Sequence, residues 1–269
     1  MDLSLRASPC VVTGASAGIG LATARRLCAE GAHVLLVSRR PNPLRRATQE
    51  CLRAGAGGDA RVDGLALDVT EPGAADRIVE RCEESFGRID VLVNNAGTTS
   101  TRPLHELREE EWHLQWELNV MAPMRLMART APRMAERGGG RIVNVASSSG
   151  KRPGLNNAAY SVTKSAQLSL SRVFADAWAS RGVLVNAVAP GPTATPLWTG
   201  PGGLAEQAAA RAGGSAQEAV EAMARRVPVG RLGSEDEVAT VVVLLCSPAA
   251  SFVAGAAWSV DGGYVPQFL

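Results

Sequence analysis

The 269-residue chain has no run of about 20 consecutive apolar residues, the length a membrane-spanning helix requires, although 46% of it is hydrophobic. Cysteine is scarce and unpatterned. Cys10, Cys28, Cys51, Cys82 and Cys246 are odd in number and contain no C-x-x-C motif, so neither a disulfide framework nor a thiolate metal site is predicted. These five read as small apolar residues of a protein kept in a reducing cytoplasm. His33, His105 and His113 show no metal-ligand spacing. The formal net charge is +2, with no long block of one sign, which argues against a nucleic-acid or anionic-membrane surface and points to small-molecule partners. Little room separates Met1 from the first predicted strand, too little for a charged region plus an apolar signal core. No proline-rich or serine-rich linker divides the chain.

What the chain does contain is a repeated alternation. Short apolar, β-rich runs occur at Cys10–Thr13, His33–Ser38, Gly64–Leu67, Val91–Val93, Arg141–Val145, Val183–Val188 and Ala257–Val260. Helical patterns fall between them at Ile19–Glu30, Pro43–Ala54, Ala74–Phe86, Glu109–Glu136 and Asn157–Ser180. Strand and helix in alternation predict an α/β fold: one doubly wound domain over residues 1–269, with a mainly parallel seven-stranded sheet flanked by helices. Residues 200–226 break the rhythm. There Gly200, Gly202, Gly203, Gly213 and Gly214 flank alanine-rich helical pieces, the composition of a substrate lid or of a plain surface excursion.

The first strand runs into a glycine-rich turn, Thr13-Gly14-Ala15-Ser16-Ala17-Gly18-Ile19-Gly20. At such a strand-to-helix junction, free backbone N–H groups and the helix dipole favour a pyrophosphate, and glycine lets it approach. The spacing G-x-x-x-G-x-G differs from the G-x-G-x-x-G dinucleotide fingerprint. The second strand ends in Ser38-Arg39-Arg40, where a carboxylate would select a ribose 2′-hydroxyl and an arginine suits a 2′-phosphate. Arg39 therefore favours NADP(H), with NAD(H) as the alternative. Tyr160 and Lys164 stand four residues apart, on one face of a helix. The ammonium is expected to lower the pKa of the phenol and make Tyr160 a proton donor.

Taken in order, these motifs resemble the short-chain dehydrogenase/reductase family over nearly the whole length, and a Rossmann-type fold is implied. Thr13 to Gly20 matches that family's glycine motif, with Gly14, Ser16, Gly18, Ile19 and Gly20 as cofactor contacts alongside Ser38 and Arg39. Asp68-Val69 resembles its adenine contact, and Asn94-Asn95-Ala96-Gly97 its N-N-A-G motif. The resemblance implies a catalytic set of Asn119, Ser147, Tyr160 and Lys164, with Ser147 thirteen residues before Tyr160. Tyr160 and Lys164 would also touch the cofactor. Pro190-Gly191, Thr193 and Thr195 would hold the nicotinamide carboxamide.

In that reading Ser147 polarises a carbonyl, Tyr160 donates the proton, Lys164 holds the ribose, and Asn119 positions a water. The implied activity is NADP(H)-dependent interconversion of a ketone and a secondary alcohol, in the manner of 3-oxoacyl-thioester reductases. A dehydrogenase of a secondary alcohol, sugar or cyclic diol is the alternative, and a non-catalytic dinucleotide sensor or scaffold is the reading from another class. Leu197, Trp198 and Leu204 supply apolar surface for a substrate. Val227 to Gly233 and Val260 to Gly263 also resemble the family's closing pattern, from which a homo-oligomer, tetramer or dimer, is expected.

Overall fold

Seven strands form one sheet in the order β3-β2-β1-β4-β5-β6-β7, and every pairing is parallel. They are β1 (Pro9–Thr13), β2 (His33–Ser38), β3 (Val62–Ala66), β4 (Val91–Asn94), β5 (Gly140–Val145), β6 (Val183–Pro190) and β7 (Ala257–Val260). The computed structural model describes residues 2–266, so Met1 and 267–269, the extremities of the domain expected above, lie outside the described part.

The central strands are covered on both faces, which is why their sequences are continuously apolar rather than alternating. In β2, Val34 and Leu36 point to one core, and Leu35 and Val37 to the other. The first core is closed by α1 (Gly18–Ala29), α2 (Pro41–Ala54) and α10 (Glu235–Cys246), through residues such as Leu27, Leu44 and Val242. The second is closed by α3 (Ala74–Phe86), α5 (Ala122–Glu136) and α6 (Ala158–Trp178), through Ile78, Met127 and Ala175. All five cysteines are free and buried, in keeping with their reading as apolar filler.

Two departures from the expected elements have physical causes, while the alanine-rich pieces of residues 200–226 are helical as expected. Helix α10 was not expected, because Val238–Leu245 is rich in β-branched residues that favour strands. Its helical start is fixed by a capping box: Ser234 Oγ accepts from the Glu237 N–H at 3.2 Å, while Glu237 Oε2 accepts from the Ser234 N–H at 2.7 Å. The single helix expected over Glu109–Glu136 is interrupted. Helix α4 (Glu109–Trp116) passes through a π-helical turn, Glu117–Met121, before α5. Pro123 lacks the N–H that would bond the Asn119 carbonyl four residues back, which disfavours regular α-helical bonding at this point. Residues 200–226 carry α8 (Leu204–Ala212) and α9 (Ala216–Ala224), preceded by the single turn α7 (Pro196–Thr199). Gln207 Oε1 accepts from the Thr101 N–H at 2.8 Å and the Thr101 hydroxyl at 3.1 Å, tying α8 to the loop after β4.

The junction of β1 with α1 depends on close packing at Gly20, where an added Cβ would stand 2.5 Å from the Gly14 carbonyl oxygen and against the Asn95 amide. Backbone cannot yield there as a flexible side chain would. Gly20→Ala is expected to lower unfolding free energy by about 1–3 kcal/mol. Gly57→Ala, where nothing lies within 4 Å, should change it by less than about 0.5 kcal/mol. Urea unfolding of the two variants beside the parent measures both.

Candidate active site

All strands point the same way, so their C-terminal ends form one rim, and the strand order reverses between β1 and β4. A crevice is expected at that point in an open parallel sheet. A cavity of about 580 Å³ lies there, within the size range of small-molecule and cofactor sites.

At one end, Gly14 and Gly18 adopt φ of +66° and +62°, a left-handed backbone that glycine takes without strain. A Cβ on Gly14 would stand 2.8 Å from the Ala96 Cα, so this turn and the N-N-A-G loop are in direct contact. Asn95 stitches them together: its amide donates to the Thr13 carbonyl at 2.9 Å, and the N–H groups of Asn95 and Ala96 both donate to Thr13 Oγ1 at 3.0 Å. The residue before α1, Ala17, gives no side-chain cap, leaving first-turn N–H groups for an anion. Ser38 Oγ donates to Ser16 Oγ at 2.8 Å, joining the glycine turn to the end of β2.

Beside it Arg39, with a side chain 73% exposed, lies 3.6 Å from Asp68. Burial alone would raise the Asp68 pKa. Bonds from the Thr70 N–H and hydroxyl, together with the Arg39 charge, hold it below the ordinary carboxylate value. These features fit a phosphorylated dinucleotide: free N–H donors, a turn without side-chain bulk, and an accessible guanidinium at the ribose end.

At the other end Ser147 follows β5, and its Oγ accepts from the Ser149 N–H at 3.1 Å. Tyr160 stands in the first turn of α6 and Lys164 one turn further on. Lys164 is 2% exposed. Its ammonium donates to the Val145 carbonyl and to Gln167 Oε1, both at 2.9 Å, and lies 5.6 Å from the centre of the Tyr160 ring. Burial lowers the Lys164 pKa to about 7.

The expected lowering of the Tyr160 pKa by Lys164 is overturned. Burial raises the phenol, and a hydrogen bond from Ser147, which favours the phenolate, opposes that only in part. Burial of the phenol is the larger influence, and the ammonium is bonded to the Val145 carbonyl and Gln167 rather than to the phenol.

Gly14, Ser16, Gly18, Ile19, Ser38, Arg39, Asp68, Val69, Asn95, Ala96, Gly97, Ser147, Tyr160, Lys164, Pro190, Gly191, Thr193 and Thr195 all line this cavity. Two expected residues do not. Gly20 is a packing glycine beneath the turn. Asn119 is fully buried in the π turn, where its amide donates to Gln115 at 2.7 Å and Thr163 at 3.1 Å. Its Oδ1 has no partner and borders Gly97, as does Lys164 Nζ.

The sequence reading missed Thr99, Arg152, Met223 and Tyr264, which also line the cavity. Met223 and Tyr264 are distant in sequence and carry no local signal. Arg152 sits in the loop between Ser147 and Tyr160, where its position alone could have marked it. Leu197, Trp198 and Leu204, singled out for their apolar surface, do face the cavity.

Comparison with known proteins agrees with this geometry. A family model described as enoyl-(acyl carrier protein) reductase matches residues 14–265. The chain is 38% identical to the short-chain reductase protein NovJ of Streptomyces niveus, over 95% of this chain and 93% of that protein. It is 36% identical to cis-4-hydroxycyclohexanecarboxylate dehydrogenase of Sinomonas cyclohexanicum, over 94% and 95%. The crystal structure of L-sorbose reductase from Gluconobacter frateurii, complexed with NADPH and L-sorbose, superposes with a TM-score of 0.92 at 36% identity, covering 100% of both chains. With the fold, the glycine turn and the Tyr160–Lys164 face in place, the chain belongs to the short-chain dehydrogenase/reductase family of oxidoreductases.

Proposed function

We propose that the protein is an NADP(H)-dependent reductase that converts a ketone into a secondary alcohol. The observation that carries this reading is the meeting of Ser147, Tyr160 and Lys164 in the same cavity as the glycine turn. The dinucleotide, when bound, supplies a hydride to the carbonyl carbon. The Ser147 hydroxyl donates to the carbonyl oxygen and balances its developing charge. Tyr160, a phenol and so protonated at neutral pH, gives its proton to that oxygen.

Lys164 uses two of its three N–H groups within the protein and turns the third to the ribose hydroxyls. Asn119 offers its unbonded Oδ1 to a water that resupplies protons. Residues 200–226 act as a lid, with Trp198, Leu204 and Met223 excluding water above the site. A cytoplasmic location is supported by five unpaired cysteines. A homo-oligomer, tetramer or dimer, is supported by the exposed Phe252 and by Trp258 on edge strand β7; light scattering decides between the two.

One observation favours a narrower substrate class. On the Ser147 side of the cavity the charged lining residues are Lys164 and Arg152, and Arg152 has no acidic partner among the described residues. An anionic carbonyl compound fits that arrangement, as does the ring carboxylate in the name of the Sinomonas relative. The general panel is NADPH consumption over ketones, β-ketoesters, quinones and an enoyl thioester. Turnover of the enoyl thioester alone would overturn ketone reduction, and cofactor binding without any turnover would favour a sensor.

Three outcomes are expected. Tyr160→Phe should lower kcat about 10²- to 10⁴-fold while NADPH still binds; normal turnover would remove Tyr160 as donor. Arg39→Asp should lose about 10- to 100-fold in kcat/KM with NADPH and gain on NADH, because a carboxylate repels the 2′-phosphate and accepts from a 2′-hydroxyl. Arg152→Gln should raise KM for a keto acid about tenfold and leave that for its amide unchanged; equal effects on both would dismiss the anionic substrate.

A further inference from the structure

Helix α6 presents Lys164, Gln167, Ser171 and Ala175 on one buried face, at spacings of three, four and four residues. Gln167 is fully buried. Its Oε1 accepts from the Lys164 ammonium at 2.9 Å, whereas its Nε2 has no partner among the described residues. The amide cannot be turned over to improve this, because the turned group would set two donors against each other. An unsatisfied buried donor is a cost that a leucine or methionine would avoid. Gln167 is therefore poorly explained as packing, and well explained by what its oxygen does to Lys164.

We propose that Gln167 is a positioning residue that keeps the Lys164 ammonium protonated and aims its remaining N–H into the cofactor cavity. This rests on the reading above that Lys164 holds the cofactor ribose. With the Val145 carbonyl, the Gln167 oxygen pins two N–H groups on one side, so the third is left for the side bordered by Gly97. Both partners are neutral dipoles.

The titratable group on the same helix face is Tyr160. On the elements packed against α6, Glu117 is tied to Arg125, Glu109 to His113, and Glu111 to Arg102 and Arg108. Arg141 on β5 points its own charge elsewhere, its guanidinium donating to the Gly140 carbonyl, and Lys151 donates to the Ala257 carbonyl and Ser259. Among the described residues no carboxylate bonds Lys164, so against desolvation its charge is held by the Val145 carbonyl and Gln167.

The chain has two lysines, Lys151 and Lys164, so Lys164 can be titrated directly. Protein carrying ¹³C at lysine Cε gives two side-chain signals, and Lys151→Arg assigns them. Gln167→Met removes the acceptor and is expected to lower the Lys164 pKa by about one unit. Gln167→Glu replaces it with an anion and is expected to raise it by at least as much.

The pH dependence of NADPH affinity, read by fluorescence without turnover, should follow in the same order. The alkaline loss of binding moves to lower pH in the methionine variant and to higher pH in the glutamate variant. If one variant fails to fold, the other still decides the sign. A Lys164 pKa that stays within about 0.3 units in the folded variants would overturn the proposal, as would a shared loss of binding at every pH. Failure of ketone reduction would leave the lysine titration unchanged, so the two readings can fail separately.

Discussion

A single constraint organises this molecule: seven parallel strands joined by helices must all end on the same edge. At that edge each strand hands its chain to a loop, and the two halves of the sheet wind away from each other between β1 and β4. Nothing fills the resulting gap automatically. The chain braces it with Thr13 and Asn95, whose hydrogen bonds join the exits of the two strands. That brace sets the base of the cavity, since β1 carries the phosphate turn, β4 carries the N-N-A-G loop, and β5, paired with β4, carries Ser147. A loosened β1–β4 junction would therefore displace both ends of the cavity together.

The second organising feature is the treatment of positive charge. Of 28 basic residues, two are lysine, and both reach into backbone. Lys151 donates to the Ala257 carbonyl at 2.7 Å and to Ser259 at 2.9 Å, clamping the edge strand β7. Lys164 enters between β5 and α6. A compact ammonium with three donors can thread between carbonyls where a planar guanidinium would need more width and would not lose its proton. Arginine instead serves the surface, in exposed pairs such as Arg231 with Glu237 and Arg81 with Asp63. Those exposed pairs contribute little to stability individually.

The fold was legible because the strands are covered on both faces. Val34–Val37 or Val183–Val188 can only be such a strand once helical patterns flank them, and the glycine turn locates the first junction. The failures have a common origin in tertiary context. The valines of α10 gave no helical signal of their own, and a capping box and burial against α1 impose the helix. The π turn is invisible because Glu117–Met121 keeps helical spacing, and only Pro123 hints at the missing donor.

In the cavity, the glycine turn after β1 and Arg39 after β2 could be read from their own chemistry, whereas the motifs after β3, β4, β5 and β6 were placed by the family resemblance. Asn119 and Gly20 could not be separated from the lining residues, because a motif gives proximity and not direction. Gln167 left a faint trace: a polar residue three positions after Lys164, on a face that continues through Ser171 to Ala175.

The direction of the Tyr160 shift was also beyond the sequence, and it changes how the pair should be understood. Spacing brings phenol and ammonium together, but it does not say which of them the protein interior penalises more. Here both are penalised: burial pushes the phenol up and holds the ammonium near 7. Any mutual stabilisation of phenolate and ammonium therefore works against the burial of both. The dipoles that meet the Lys164 ammonium are the Val145 carbonyl and the Gln167 amide, and both favour its charged form. The environment of the Tyr160–Lys164 pair is thus set in part by Gln167, a residue that does not itself line the cavity.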